Sequence, residues 1–408
     1  MLDWLIVGGG IHGTYLSNHL LKSGRASADK LMVLDPHDAP LALWKRRTTN
    51  TRMEYLRSPA EHNLDVGPGA LIRFARSRTG FGAEFYSKYQ RPSLNLFNSH
   101  CNHVIASGKL EATRCKGTAV ALEQKNGAYI VSTESGALEA RRVILSLGND
   151  CLSIPDWAKV LETSDAPIVH IFSPQLQEAC RKDWTRAVVI GGGISGLQLA
   201  LNLAKQKPGA VTLLHSKTLK TSQFDADPCW LDKRCLNLLT RQADFTERRR
   251  IVDHARNWGS FPEDVRRQLE RALKCESIKC IESSVCTASA DRNQVQLKLS
   301  NERTIESDLV ILATGFERCL PGGEFLKNTI DNLSLSCAPC GFPTIDKYLR
   351  WSNNLYVTGA LAELVIGPAS RNIVGARLAA ELIVSADIPR KYRPRELSYY
   401  YFDKRRSG

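Results

Sequence analysis

Two glycine turns are the residues of this 408-residue chain whose types and spacing specify chemistry most directly. The first, Gly8-Gly9-Gly10-Ile11-His12-Gly13, contains G-x-G-x-x-G, and the second, Gly191-Gly192-Gly193-Ile194-Ser195-Gly196, repeats it 183 residues later. In this spacing the first glycine allows a tight turn, the second lets a pyrophosphate approach the backbone, and the third lets a helix pack on the preceding strand. Phosphate charge then meets free N–H groups at a helix N-terminus. The two turns are too far apart to be the halves of one mononucleotide-binding pair, so two separate dinucleotide sites are expected.

The residues beyond each turn distinguish the two sites. Asp35 stands 22 residues after Gly13, at the end of the apolar run Leu31 to Leu34. Its carboxylate can accept both hydroxyls of an adenosine ribose and would repel a 2′-phosphate. The corresponding end of the second unit reads His215-Ser216-Lys217, with Lys220 and Thr221 nearby and no acid. A 2′-phosphate would find a hydroxyl and cations there. The first site therefore suits FAD and the second NADPH, although Lys217 and Lys220 also read as a solvated surface pair. Cofactor contacts are expected at Gly8, Gly10, His12, Gly13 and Asp35, and at Gly191, Gly193, Ser195, Gly196, Ser216 and Lys217. Thr314, Gly315, Gly359 and Gly367, at strand ends and turns further along, complete the set.

The elements that must position these groups follow from pattern. Leu2 to Val7 and Ala187 to Ile190 are buried-strand runs that end in the glycine turns, and helices are expected from Ile11 to about Leu21 and from Leu197 to Lys205. Cys101 to Ala106, Gly117 to Glu123, Tyr129 to Thr133 and Arg141 to Leu147 read as short strands. Asp308 to Leu312 leads into Ala313-Thr314-Gly315, and the strand Leu355 to Thr358 precedes a helix from about Ser370 to Val384. The positive end of that last helix is available to an electron-rich group. The fold class expected is α/β, with two Rossmann-like dinucleotide-binding domains, the second inserted in the first. The boundaries read 1–165 for the first part of the FAD domain and 181–307 for the NADPH domain, with a helical insertion at 216–275. Residues 308–390 form the second part of the FAD domain, and 391–408 a tail.

Composition excludes several classes. Hydrophobic content of 43% and charged content of 24% are ordinary for a globular protein, and no run of eighteen apolar residues indicates a membrane span. The apolar N-terminus lacks the basic region of a signal peptide, so a cytoplasmic location is expected. The net charge of +13 comes from dispersed residues without a nucleic-acid recognition motif, and serves to attract phosphorylated cofactors. The twelve cysteines show no repeating framework and are expected as reduced thiols. Without a second C-x-x-C no metal site is expected. Oligomeric state is left open. His170, alone among apolar residues, reads as a packed histidine.

The two fingerprints, Ala313-Thr314-Gly315 and Tyr356-Val357-Thr358-Gly359 together resemble a flavoprotein with two dinucleotide-binding domains, over nearly the whole chain. Within that group the chain most resembles the flavin-dependent monooxygenases, particularly the N-hydroxylating lysine and ornithine type. Thr51-Arg52-Met53 through Leu64-Asp65 stands where these enzymes have a flavin-facing loop, and Ser222-Gln223-Phe224-Asp225 through Trp230 is similar to their helical segment. Gly359-Ala360 replaces the Gly-Asp of disulfide reductases. The F-x-G-x-x-x-H fingerprint is not intact before His170. The resemblance implies an NADPH-oxidising monooxygenase that oxygenates a small amine or sulfur substrate with molecular oxygen through a flavin C4a-hydroperoxide. Its flavin-facing candidates are Arg46, Arg52, Met53, Arg57 and His62, each of which also reads as a surface or packing residue. Two other readings stay open. One is a reductase using Cys337-Ala338-Pro339-Cys340 or passing electrons to a quinone or protein. The other is a non-catalytic nucleotide-binding flavoprotein.

Overall fold

Strand Leu2–Val7 sits inside its sheet because Trp4 to Val7 are apolar and fully buried, the pattern of a parallel strand covered on both faces. It pairs in parallel with Leu31–Asp35 on one side and Gly136–Leu145 on the other. The structure is a computed structural model that describes residues 1–77, 84–87, 89–161, 165–231 and 233–386. The sheet has eight strands, and its main path runs Arg350–Ser352, Leu355–Val357, Gly136–Leu145, Leu2–Val7, Leu31–Asp35, Arg114–Lys116. Ala119–Lys125 and Ala128–Thr133 extend it in antiparallel fashion from Gly136–Leu145. Strands near both ends of the described chain thus share one sheet, and helices Ile11–Lys22 and Ile373–Ser385 pack on each other over it.

A second sheet of five parallel strands is ordered Ile278–Glu282, Val211–His215, Ala187–Ile190, Leu309–Leu312, Ile168–His170. Its core, built on Ile171, Val189, Leu197, Leu213 and Ile311, is separate from that of the first sheet. The second domain is therefore inserted in the first, but its limits differ from those read in the sequence. Leu309–Leu312 hydrogen-bonds between Ala187–Ile190 and Ile168–His170, so it belongs to the inserted unit and not to the part expected to begin at 308. Ile168–His170 likewise moves the start ahead of the expected 181. Four buried apolar residues look alike in either sheet, and only pairing assigns them.

Three further corrections concern local structure. The expected strand Cys101 to Ala106 is the end of helix Leu94–Ser107, whose N-cap Ser93 accepts from the Leu96 N–H at 3.1 Å. The polar segment after Trp44, which by composition reads as an irregular loop lining a surface or cleft, is helix Ala42–Asn50. Cys229 and Cys235 form a disulfide, against the expectation of reduced thiols throughout, while the other described cysteines are free. The tail 391–408 lies outside the described residues.

The chain leaves the first unit after Gly136–Leu145 and returns after Leu309–Leu312, and the two crossing segments run side by side. Leu152 and Phe316 form an antiparallel bridge. Ser153 N–H donates to the Gly315 carbonyl at 3.0 Å and Glu317 N–H to that of Cys151 at 2.9 Å. Helices Lys233–Arg241, Phe245–Ala255 and Glu263–Lys274 form the helical part of the inserted unit. Among the described residues no helix is long and apolar enough to cross a membrane, and no cluster of three or more metal-ligating side chains occurs.

Candidate functional site

The two glycine turns are built alike. A Cβ on Gly8 would lie 2.3 Å from the Ser146 carbonyl oxygen, and one on Gly191 would lie 2.3 Å from that of Ala313. Both glycines have positive φ, +107° and +132°, so no side chain is accommodated at either. The third glycines, Gly13 and Gly196, have their Cα faces against the carbonyls of Gly8 and Gly191, at 1.9 and 2.4 Å from a hypothetical Cβ. They hold helix to strand and do not line the cleft. The middle glycines differ: a Cβ on Gly10 would meet nothing within 4 Å, and one on Gly193 only the Gly259 Cα at 3.8 Å. Backbone open at the middle glycine and closed at the other two fits a pyrophosphate lying over each helix start.

Both turns open onto one cleft of about 2080 Å³ between the sheets. Asp35 is 8% exposed and lines it. Its Oδ2 accepts from Gly9 N–H at 2.6 Å, and its Oδ1 from His37 N–H at 2.9 Å. Oδ2 retains a lone pair for a ribose hydroxyl. His12 bridges the first helix to the closing unit: Nε2 lies 3.2 Å from the Asn372 carbonyl and Nδ1 2.7 Å from Thr358 Oγ1. A carbonyl only accepts, so Nε2 carries the proton and Nδ1 accepts from the threonine hydroxyl. Burial lowers the His12 pKa to about 4, so the ring is neutral at pH 7.

At the second turn Ser195, Ser216 and Lys217 line the cleft, the last two exposed. His215 shapes this rim, with Nδ1 3.0 Å from the Lys217 carbonyl and Nε2 3.3 Å from Cys280 Sγ. Thr314 and Gly315 line the cleft where the second crossing segment begins, and Thr314 Oγ1 donates to the Ser153 carbonyl. Gly359, Asn372 and Ile373 line it at the closing unit, so helix Ile373–Ser385 directs its N-terminus there. Gly367 is elsewhere. Its φ is +80° and a Cβ would meet Trp230 at 3.0 Å, which makes it a packing position beneath the helical insertion.

The five flavin-facing candidates separate. Met53 lines the cleft. Arg57 also borders it, but its donors are committed to the inserted unit: Nε to Gln223 O at 3.0 Å, Nη1 to Asp225 Oδ1 at 2.6 Å and Ser260 O at 3.3 Å, and Nη2 to Ser222 O and Ser260 Oγ at 2.8 and 2.9 Å. It is a latch between domains. Arg46 is exposed away from the cleft, and Arg52 donates to Asn202 Oδ1 at 3.0 Å without reaching it. His62 lines a smaller neighbouring cavity with Trp230, and burial lowers its pKa to about 3.

Several cleft residues were not anticipated. Arg47, one position from Arg46 on the helix, donates to the Asn149 carbonyl at 3.0 Å and lies 4.8 Å from the Phe316 ring centroid. Phe316 stacks on Phe172 at 4.9 Å and 14°, so that Arg47 of the first domain sits over an aromatic pair that follows two strands of the inserted unit. A helical reading of residues 42–50 would have found this face. At another edge of the cleft Glu363, fully buried, accepts from three arginines: Arg371 through Nε and Nη2 at 2.8 and 2.7 Å, Arg249 through Nη1 at 3.0 Å, and Arg256 through Nη2. Against the cost of burial, these bonds and charges hold the Glu363 pKa down at about 2. Of the C-x-x-C pair, Cys340 lines the cleft and Cys337 is exposed, its thiol pushed up by burial and by Cys340.

Comparison with known proteins bears on this geometry. The profile of the pyridine nucleotide-disulphide oxidoreductase family matches residues 2–380. No curated protein matches the sequence. Among solved structures, the ornithine hydroxylase of Pseudomonas aeruginosa is 18% identical with a TM-score of 0.74, covering 94% of this chain and 98% of that one. A cadaverine monooxygenase of the desferrioxamine pathway of Erwinia amylovora, bound to FAD, is 12% identical with a TM-score of 0.76, covering 98% of each chain. A bacillithiol disulfide reductase of Bacillus cereus is 16% identical with a TM-score of 0.60, covering 94% and 98%. At these identities the likeness is one of fold.

Proposed function

Since the chain belongs to the pyridine nucleotide-disulphide oxidoreductase family, we propose that it is an FAD-dependent, NADPH-oxidising monooxygenase acting with oxygen on a small amine or sulfur nucleophile. The observation that carries this is the pair of glycine turns facing one cleft, the acid at the first and Ser216 and Lys217 at the second. The higher TM-scores to the ornithine hydroxylase and the cadaverine monooxygenase than to the disulfide reductase support the same choice. When bound, reduced FAD supplies oxygen activation, and the chain supplies everything that holds and shields it.

Gly8 to Gly10, Asp35, and the His12–Thr358 pair are the residues to hold FAD. Gly191 to Gly193, Ser195, Ser216 and Lys217 are those to hold NADPH. Neutral His12 fixes the closing unit to the first helix without adding charge beside the flavin. The thirteen-residue helix Ile373–Ser385 brings a partial positive charge to the cleft, which favours an electron-rich ring. Arg57 closes the inserted unit against the first domain and limits water access.

The test is to load the protein with FAD, reduce it with NADPH without air, then mix it with oxygen in a stopped-flow spectrometer. Bleaching by NADPH followed by an absorbance transient distinct from reduced and oxidised flavin is expected. Bleaching with direct reoxidation would favour a reductase and direct attention to Cys337 and Cys340. No bleaching would leave a non-catalytic nucleotide-binding protein.

A further inference from the structure

Each of the two segments that cross between the domains carries a cysteine for which the nucleotide chemistry has no use. Cys151 is exposed and lines the cleft, Cys319 is half-buried, and both are free thiols. Backbone pairing sets them against each other. With Leu152 bridged to Phe316 in antiparallel register, Cys151 stands opposite Glu317, whose N–H donates to the Cys151 carbonyl at 2.9 Å. The Asn149 side chain holds this register: Oδ1 accepts from Cys151 N–H at 3.0 Å, and Nδ2 donates to the Glu317 carbonyl at 3.0 Å. Alternate residues of an extended segment share a face, so Cys319 follows Glu317 on that face as the diagonal neighbour of Cys151. The two thiols sense each other accordingly. Burial pushes the Cys319 thiol up, and Cys151 beside it pushes it further. Cys337 and Cys340 are a different kind of pair, close together in one stretch of chain, whereas Cys151 and Cys319 flank the whole inserted unit.

We propose that Cys151 and Cys319 are a redox-active dithiol, oxidised by hydrogen peroxide to a disulfide that ties together the two ends of the inserted unit. Cys151 Sγ, open to the cleft, attacks one oxygen of the peroxide. An S–O bond forms, the O–O bond breaks, and the departing hydroxide takes the thiol proton to become water. Cys151 then carries an uncharged sulfenic acid, which removes one of the effects that hold the Cys319 proton in place. Cys319 Sγ attacks Cys151 Sγ, the S–S bond forms, the S–O bond breaks, and hydroxide leaves with the Cys319 proton as a second water. The two thiols lose two electrons and the peroxide gains them. The new bond encloses all five parallel strands of the inserted unit in one covalent loop. Closing so long a loop constrains the unfolded chain far more than the native one, in which the two segments already lie side by side. Oxidation therefore stabilises the inserted unit. The inference is independent of which acceptor a reduced flavin serves.

The experiment starts from the full chain reduced with a phosphine, freed of it, and treated with a small excess of hydrogen peroxide. Remaining thiols are alkylated, and the unreduced digest is read by mass spectrometry. A cross-linked pair of peptides containing Cys151 and Cys319, from one chain, is expected. The melting temperature should exceed that of Cys151→Ser, treated in the same way, by roughly 5 °C or more, and dithiothreitol should abolish the difference. Cys319→Ser is expected to leave Cys151 as a sulfenic acid, trapped by dimedone, and to melt with Cys151→Ser. A chain with both Cys337→Ser and Cys340→Ser should still form the cross-link. Alkylation of both Cys151 and Cys319 after peroxide overturns the proposal, and so does a bond from either one to another thiol or to a second chain. A cross-link that leaves the melting temperature level with that of Cys151→Ser overturns the stabilising role.

Discussion

Glu363→Gln is the sharpest test of how the cleft is held together. The side chain has no exposed surface and receives bonds from Arg371 of the closing unit, from Arg249 of helix Phe245–Ala255 and from Arg256, which caps that helix. Its folded pKa of about 2 compares with 4.5 for the free group. That depression corresponds to about 3 kcal/mol at neutral pH, within the roughly 3 to 5 kcal/mol expected on breaking a buried ion pair. The sign follows from proton binding. Because the folded pKa is depressed, the contribution is complete above the unfolded value and lost as pH falls through the folded one. It should shrink to less than half, on the order of 1 kcal/mol, at pH 3. The assay is urea unfolding of wild type and Glu363→Gln, followed by tryptophan fluorescence at pH 7.5 and at acid pH, each pair compared at equal pH. A deficit near 3 kcal/mol that narrows on acidification is expected. A deficit under about 1 kcal/mol at pH 7.5, or one independent of pH, would refute the assignment.

Gly191→Ala introduces a Cβ against the Ala313 carbonyl at positive φ, so the variant should retain FAD but lose reduction by NADPH, as read by anaerobic bleaching. Lys217→Ala should raise KM for NADPH roughly five- to tenfold and leave KM for NADH nearly unchanged; an equal rise for both would remove Lys217 from 2′-phosphate recognition. Replacing Cys337 and Cys340 with serine should keep NADPH oxidation within about twofold of wild type, since a thiol pushed up in pKa is a poor nucleophile, and loss of turnover would revive the reductase reading. His12, His19, His62, His100 and His170 all have pKa values lowered by burial to about 4, 4, 3, 4 and 4. The unfolded chain takes up their protons first, so stability should be full above about pH 6.5 and fall toward pH 4; a melting temperature constant between pH 7 and 5 would contradict it.

What the sequence revealed follows the range of the interactions involved. The glycine turns are legible because their constraint is local: Gly8 and Gly13 need the absence of a Cβ whatever lies further away. Asp35, at a set distance from the turn, is legible for the same reason. Helix Leu94–Ser107 was missed because the run Cys101 to Ala106, taken alone, carries Val104 and Ile105, which suit a strand, whereas its cap, Ser93, stands well upstream. Arg46 was chosen over Arg47 because a segment read as loop has no faces, and one residue along a helix turns a side chain through about 100°. The arginine cluster was invisible, since Arg249 and Glu363 meet across 114 residues and nothing local marks either. Leu309–Leu312 could not be assigned to a sheet because hydrogen-bond partners, and not composition, decide membership.

The paired crossing segments have an evolutionary consequence. Because Leu152 and Phe316 lie side by side, the inserted nucleotide-binding unit departs and returns at neighbouring points on the first domain. Its two ends are as close as those of an independent domain usually are. A genetic exchange at this junction can replace the inserted unit as a whole and leave the eight-stranded sheet uncut. A chimaera joined at these two residues is therefore a natural object to build.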